Sequence, residues 1–205
     1  MCPLQVAQES ASVSLCWLPL GAGDMIVRYS GRWFEVMAAT RAHRSRLDLF
    51  HSALVVRLPG QRFVIEMAPS WGNKQPERGV VAEGPVGHPL LGRSLFFRYE
   101  VRRWRDGVIP DLAAAVESPR RLSSEEEQAQ RLLDLVPAFP TMTWGRDELD
   151  TGDMWNSNSL VSWLLARSGH RTDRIELPIN GRAPGWTAGL VASGQGDDAE
   201  RGVSM

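Results

Sequence analysis

Two kinds of hydrophobic pattern follow one another along this chain. Up to Arg105 the apolar residues come in short runs separated by turn residues, alternating with polar ones most clearly where Phe97, Tyr99 and Val101 interleave with Arg98, Glu100 and Arg102. In Ser124 to Val136, and again from about Asn156 to Arg167, they recur at every third or fourth position, the spacing of a helix face. Strands gathered first and helices after, rather than alternating, predict an α+β fold: an antiparallel sheet of about five or six strands with C-terminal helices packed on it.

The strand segments have natural boundaries. Asp24 to Tyr29 and Trp33 to Met37 flank Ser30-Gly31-Arg32, a hairpin turn. Leu47 to Leu58 and Arg62 to Met67 flank Pro59-Gly60, a second hairpin. Val80 to Glu83 is a short strand and Ser94 to Arg105 a long one with one wet face. The helices then begin with a short one from Ile109 to Val116, stopped by Ser118-Pro119. In the next, Ser124 to Val136, two serines each stand three residues before a glutamate, the spacing of a capping box, and Ala129, Leu132, Leu133 and Val136 form one apolar stripe. The last runs from about Asn156 to Arg167, with Gly169 in a C-cap position. Pro178, Gly181, Pro184 and Gly185 punctuate a loop, and the small polar residues from Ser193 onward read as a disordered tail. One domain over residues 1–192 with a tail over 193–205 is the expected organisation.

The bulk composition excludes several classes. A net charge of -1 offers no general attraction to nucleic acid or to an anionic membrane surface. Basic residues cluster at Arg41, Arg44 and Arg46 and at Arg98, Arg102, Arg103 and Arg105; Arg103 and Arg105 alternate with Trp104, which reads as a solvated sheet face, the alternative being a phosphate or carboxylate site. No run approaches the roughly 20 apolar residues of a membrane span. The apolar run Leu15 to Leu20 is broken by Pro19 and lacks a positive leader, so no signal peptide is read there. The only cysteines are Cys2 and Cys16, which suggests no disulfide framework and a reducing, cytoplasmic setting. The histidines and cysteines show no metal-ligand spacing, so neither a metal nor a cofactor is expected.

Within this frame one segment stands out. Asn156-Ser157-Asn158-Ser159 runs without a break into Leu160-Val161-Ser162-Trp163-Leu164-Leu165. A helix start needs one cap, and here are four small polar residues in a row. Ser157 shares a face with Val161, Leu164 and Leu165 and so points toward the core. Its hydroxyl either bonds the free N–H groups of its own first turn or serves as a nucleophile, in which case the helix N-terminus helps stabilise an oxyanion. Among the four histidines, His51 opens the apolar run Ala53-Leu54-Val55-Val56, where an imidazole needs a hydrogen bond; it is either a satisfied core residue or the base. His43, His88 and His170 read as surface residues. Glu66 interrupts the neighbouring strand and either follows simple alternation or orients an imidazole, as the third member of a triad does.

In this order, Leu18 to Asp24 with its Gly23-Asp24 dipeptide, His51 to Val56, Val64-Ile65-Glu66 and the Asn156 helix start resemble the circularly permuted branch of the NlpC-type papain-like superfamily, which includes lecithin retinol acyltransferase-like proteins. The resemblance spans roughly residues 18–190 and implies a permuted papain-like fold, with Ser157 as nucleophile, His51 as base and Glu66 as orienter, and Asn156 or Asn158 as added donors. The family's helix begins Asn-Cys, and this chain has Asn156-Ser157. An alcohol lacks the thiolate fraction of a cysteine near neutral pH, so a site built for sulfur loses activation with oxygen. Two functions follow: a hydrolase or acyl or amide transferase using a Ser-His-Glu arrangement, or a catalytically inactive member that binds a ligand or a protein. In the second, Trp186 is a candidate lip of the binding cleft or an ordinary core aromatic. The identity of the substrate, whether peptide, lipid ester or thioester, is open.

Overall fold

The computed structural model describes residues 10–20, 47–70, 76–109 and 112–195. The hairpin expected from Asp24 to Met37, the Gly23-Asp24 dipeptide, His43, the cluster Arg41, Arg44 and Arg46, and the tail beyond residue 195 lie outside them.

The described strands are β1 (Ser12–Pro19), β2 (Asp48–Leu58), β3 (Gln61–Pro69), β4 (Val80–Pro85), β5 (Arg98–Arg105), β6 (Val116–Ser123) and β7 (Gly181–Arg182). They form one sheet in the order β4-β5-β3-β2-β1-β6, with every neighbouring pair antiparallel; β7 is off this path and pairs parallel with the start of β2. The β2–β3 hairpin turns through Pro59-Gly60 as expected: Gly60 takes a φ of +69°, which its missing Cβ permits. The helices are α1 (Glu126–Leu135), α2 (Ser157–Arg167) and α3 (Trp186–Ala192). The chain is thus α+β with an antiparallel sheet.

The two faces of the sheet differ. Val13, Leu15 and Trp17 of β1, Leu54 and Val56 of β2, Ile65 and Met67 of β3 and Tyr99 and Val101 of β5 share one core with Leu132 and Leu133 of α1 and Leu160, Val161, Leu164 and Leu165 of α2. The opposite face carries a smaller apolar cluster: Cys16, Leu18, Ala53, Val55, Val64 and Ile109. Adjacent residues of one strand therefore belong to different cores, as the period of two requires.

Several expectations need correction. The segment read as a helix ending at Ser118-Pro119 is a 3₁₀ turn, Leu112–Ala114, followed by β6, which contains Pro119. β6 ends the strand order, and its ladder to β1 shifts register twice, so a residue without an N–H is tolerated there. The wet face expected on β5 is closed: Glu100 and Arg102 are only 3% and 6% exposed. α1 begins after Glu125, which makes no side-chain cap, so the serine capping box is not formed; Glu126 and Glu127 favour the first turn through the helix dipole instead. Past the punctuated loop lies α3, in a region read as irregular.

Candidate functional site

The polar tetrad of α2 is buried throughout, and most of it is accounted for by hydrogen bonds. Asn156 is the N-cap in extended conformation: its Oδ1 accepts from Asn158 N at 2.8 Å, while Ser159 Oγ accepts from Asn156 N at 3.1 Å, the reciprocal pair of a capping box. Asn156 Nδ2 also donates to Pro184 O at 2.8 Å. Asn158 ties three segments together, accepting from Ser52 Oγ at 2.7 Å and donating to Phe50 O at 2.9 Å and Pro184 O at 2.7 Å. Ser159 Oγ donates to Gly185 O at 2.8 Å, and Ser162 Oγ donates to Trp186 O at 2.8 Å. These side chains hold the start of α2 against β2 and the turn into α3. They satisfy the carbonyls of Phe50, Pro184 and Gly185, all in buried residues, and of the half-buried Trp186.

Ser157 is the exception. It is 5% exposed, and no side-chain hydrogen bond joins its hydroxyl to the described residues. Of the two explanations for a polar side chain at this helix start, local bonding fits Asn156, Asn158 and Ser159, and leaves the Ser157 oxygen unassigned.

His51 does not come to that oxygen. Opposite residues of an antiparallel pair project to the same face, and His51 pairs with Leu18, a member of the cluster on the side away from the helices. Phe50 and Leu54 have the other parity and pack in the helix-side core, and Ser52, which shares that parity, bonds Asn158 of α2. Parity thus directs the His51 side chain to the face away from α2, and no hydrogen bond joins it to Ser157.

Glu66 shares the face of His51 but has a different partner. Its Oε1 accepts from Arg102 Nη1 at 2.8 Å, and the same guanidinium donates from Nε and Nη2 to Glu100 Oε2 at 2.9 and 2.8 Å. One buried cation is thus shared by two carboxylates on neighbouring strands, β3 and β5, where Glu66 and Arg102 stand directly opposite. Hydrogen bonds to the two carboxylates and their charge raise the pKa of Arg102 against the opposing effect of burial. Glu66 positions an arginine, not an imidazole. Trp186, considered as a cleft lip, is half-buried at the start of α3, with its ring 5.3 Å from that of Trp17 in the core.

Sequence reasoning missed two further groups. The alternation of Glu66, Glu100 and Arg102 marked a face correctly but not its burial, since a strand pattern carries no information about what covers the polar side. His170, read as surface, is 6% exposed; its Nδ1 lies 2.9 Å from Ser168 Oγ, and burial lowers its pKa. Among the described residues no group of three or more His, Cys, Asp or Glu side chains is gathered as a metal site would need. Nor is any described helix long and apolar enough to cross a membrane. The fold and site define the chain only as an α+β protein with an antiparallel sheet. No family model, curated protein or solved structure matches it.

Proposed function

We propose that this chain is a non-catalytic binding module that holds a polar helix start of the papain-like kind without its catalytic pairing. The observation that supports the reading is the parity of β2, which turns His51 to the face of the sheet away from Ser157. A serine hydroxyl without a base remains protonated and is a poor nucleophile. The diversion of Glu66 to Arg102 agrees, since the residue suited to orient a base is committed elsewhere.

One observation favours a second reading, a hydrolase or acyl transferase. Ser157 alone in the tetrad has a hydroxyl without a structural task, and it sits at a helix N-terminus where partial positive charge favours an oxyanion. Its base would then be a group other than His51. A serine-reactive phosphonate probe separates the two. The binding module predicts no labelling that is lost in Ser157→Ala. Labelling of the wild type that disappears in Ser157→Ala and persists in His51→Ala supports the second reading; loss in both variants restores the Ser-His arrangement and overturns the parity argument.

A further inference from the structure

Beyond the far end of α2, β6 and the segment that follows the helix line a half-open surface pocket of about 300 Å³. Its wall includes Arg120, Arg121, Arg171 and Arg174, together with Gln128 and His170. Four arginines from two separate stretches of chain, three of them exposed, thus line one pocket.

Their pairing leaves a charge excess. Arg171 is engaged by Asp173, with Nε and Nη2 donating at 3.0 and 2.8 Å, and Arg120 approaches Glu176 only at 4.0 Å. Arg121 and Arg174 form no ion pair among the described residues. Four guanidinium groups against two carboxylates leave two positive charges, which match one dianion. Guanidinium forks suit the paired oxygens of phosphate.

The end of a helix disfavours an anion through its exposed carbonyls, and here these are occupied. Leu164 O accepts from Ser168 N at 2.9 Å and from Ser168 Oγ at 2.6 Å, Leu165 O accepts from His170 N at 2.9 Å, and Gly169 O accepts from Gln128 Nε2 at 3.2 Å. Because Ser168 Oγ donates to Leu164 O, the proton between it and His170 belongs to Nδ1, which makes Nε2 the acceptor nitrogen. That Nε2 is buried and has no hydrogen-bond partner among the described residues.

We propose that this pocket binds a small soluble phosphate compound, a phosphate ion or a phosphomonoester, through Arg120, Arg121 and Arg174. The proposal rests on the reading of the chain as a binding module by naming its ligand class. The phosphonate experiment interrogates Ser157, roughly 18 Å away along α2 at 1.5 Å per residue, so the two fail separately.

The test is a titration of the ¹⁵N-labelled full chain with inorganic phosphate, and in a second arm with phenyl phosphate, at constant ionic strength held by chloride. Saturable shifts at millimolar or lower concentration, centred on the amides of Arg121, Leu122, Gly169, His170 and Arg174, are expected, and the phenyl arm distinguishes a phosphomonoester site by tighter binding. In Arg121→Gln/Arg174→Gln, both exposed positions whose replacement leaves the remaining spectrum in place, the dissociation constant rises about tenfold or more. Absence of saturation, shifts scattered over other arginines, or an unchanged constant in the double variant overturns the proposal.

Discussion

Asn158→Ala isolates what the polar start of α2 contributes. The side chain is 2% exposed and makes three hydrogen bonds, to Ser52 Oγ, Phe50 O and Pro184 O. At about 1 kcal/mol net each these are worth roughly 3 kcal/mol. The loss is unequal: Pro184 O keeps the Asn156 amide at 2.8 Å, whereas the Ser52 hydroxyl, itself 1% exposed, loses its acceptor inside the protein. An unsatisfied buried group adds about 1–3 kcal/mol, and the better helix propensity of Ala returns about 0.5. The expected destabilisation is therefore about 3.5–5.5 kcal/mol, a large part of the 5–15 kcal/mol typical of a folded domain.

Urea unfolding followed by tryptophan fluorescence measures it. With a slope near 2 kcal/mol/M, the midpoint falls by about 1.7–2.8 M. The comparison is Ser157→Ala, one residue away in the same helix, which removes a hydroxyl with no structural bond and changes stability by less than about 0.5 kcal/mol. A double-mutant cycle of Ser52→Ala with Asn158→Ala should return a coupling near 1 kcal/mol. If Asn158→Ala costs less than about 1 kcal/mol, or Ser157→Ala costs as much as Asn158→Ala, the division of the tetrad into three structural residues and one free hydroxyl is refuted.

Arg102→Ala leaves Glu66 and Glu100 facing each other without a cation and should cost about 3–5 kcal/mol in the same assay; a loss below about 1 kcal/mol would mean that water reaches the network. His170 has a folded pKa below its ordinary 6.5, so the unfolded chain binds its proton first and stability is lost as pH falls from that value. Urea midpoints of wild type and His170→Gln over pH 5–7 should converge toward the acid end, and parallel curves refute a neutral buried imidazole. Burial pushes the Cys16 thiol up to about 11, so in a Cys2→Ser background a disulfide reagent should find no reactive thiol in the native protein and one after unfolding. Rapid reaction of native protein would contradict the packing of that face.

The sequence disclosed those parts of the fold whose signals are local. The Pro59-Gly60 hairpin, the stripe of α1 and the start of α2 are each written in residues a few positions apart, and each is present. α3 was hidden because the prolines and glycines just before it, through Pro184 and Gly185, read as an irregular loop. Gly185 stands before the helix with a φ of +92°, and a Cβ on Gly189 would run into Ser162 Oγ and Ser159 O of α2, so this glycine permits close helix packing rather than ending a helix. The buried Glu66–Arg102–Glu100 network was hidden for a different reason. A polar alternation looks the same whether water or protein covers it, and only the paired charges on adjacent strands could have raised the question.

The face to which His51 points was illegible for a reason specific to doubly buried strands. Where a sheet has one wet face, polar residues label the parity of every position, and a histidine can be assigned to the core or solvent side by inspection. After His51 this strand reads Ala53-Leu54-Val55-Val56, four buried residues that divide between two cores. Hydrophobicity then carries no parity, and His51 fits either face equally well. The asymmetry lies in a polar contact: Ser52, not His51, meets Asn158 at 2.7 Å. Moving β2 by one residue against α2 would bring His51 to the helix side, but it would also send Leu54 and Val56 to the smaller core and remove Ser52 from Asn158. The helix-side packing and the tetrad's hydrogen bonds thus reject the register that a Ser157–His51 dyad needs.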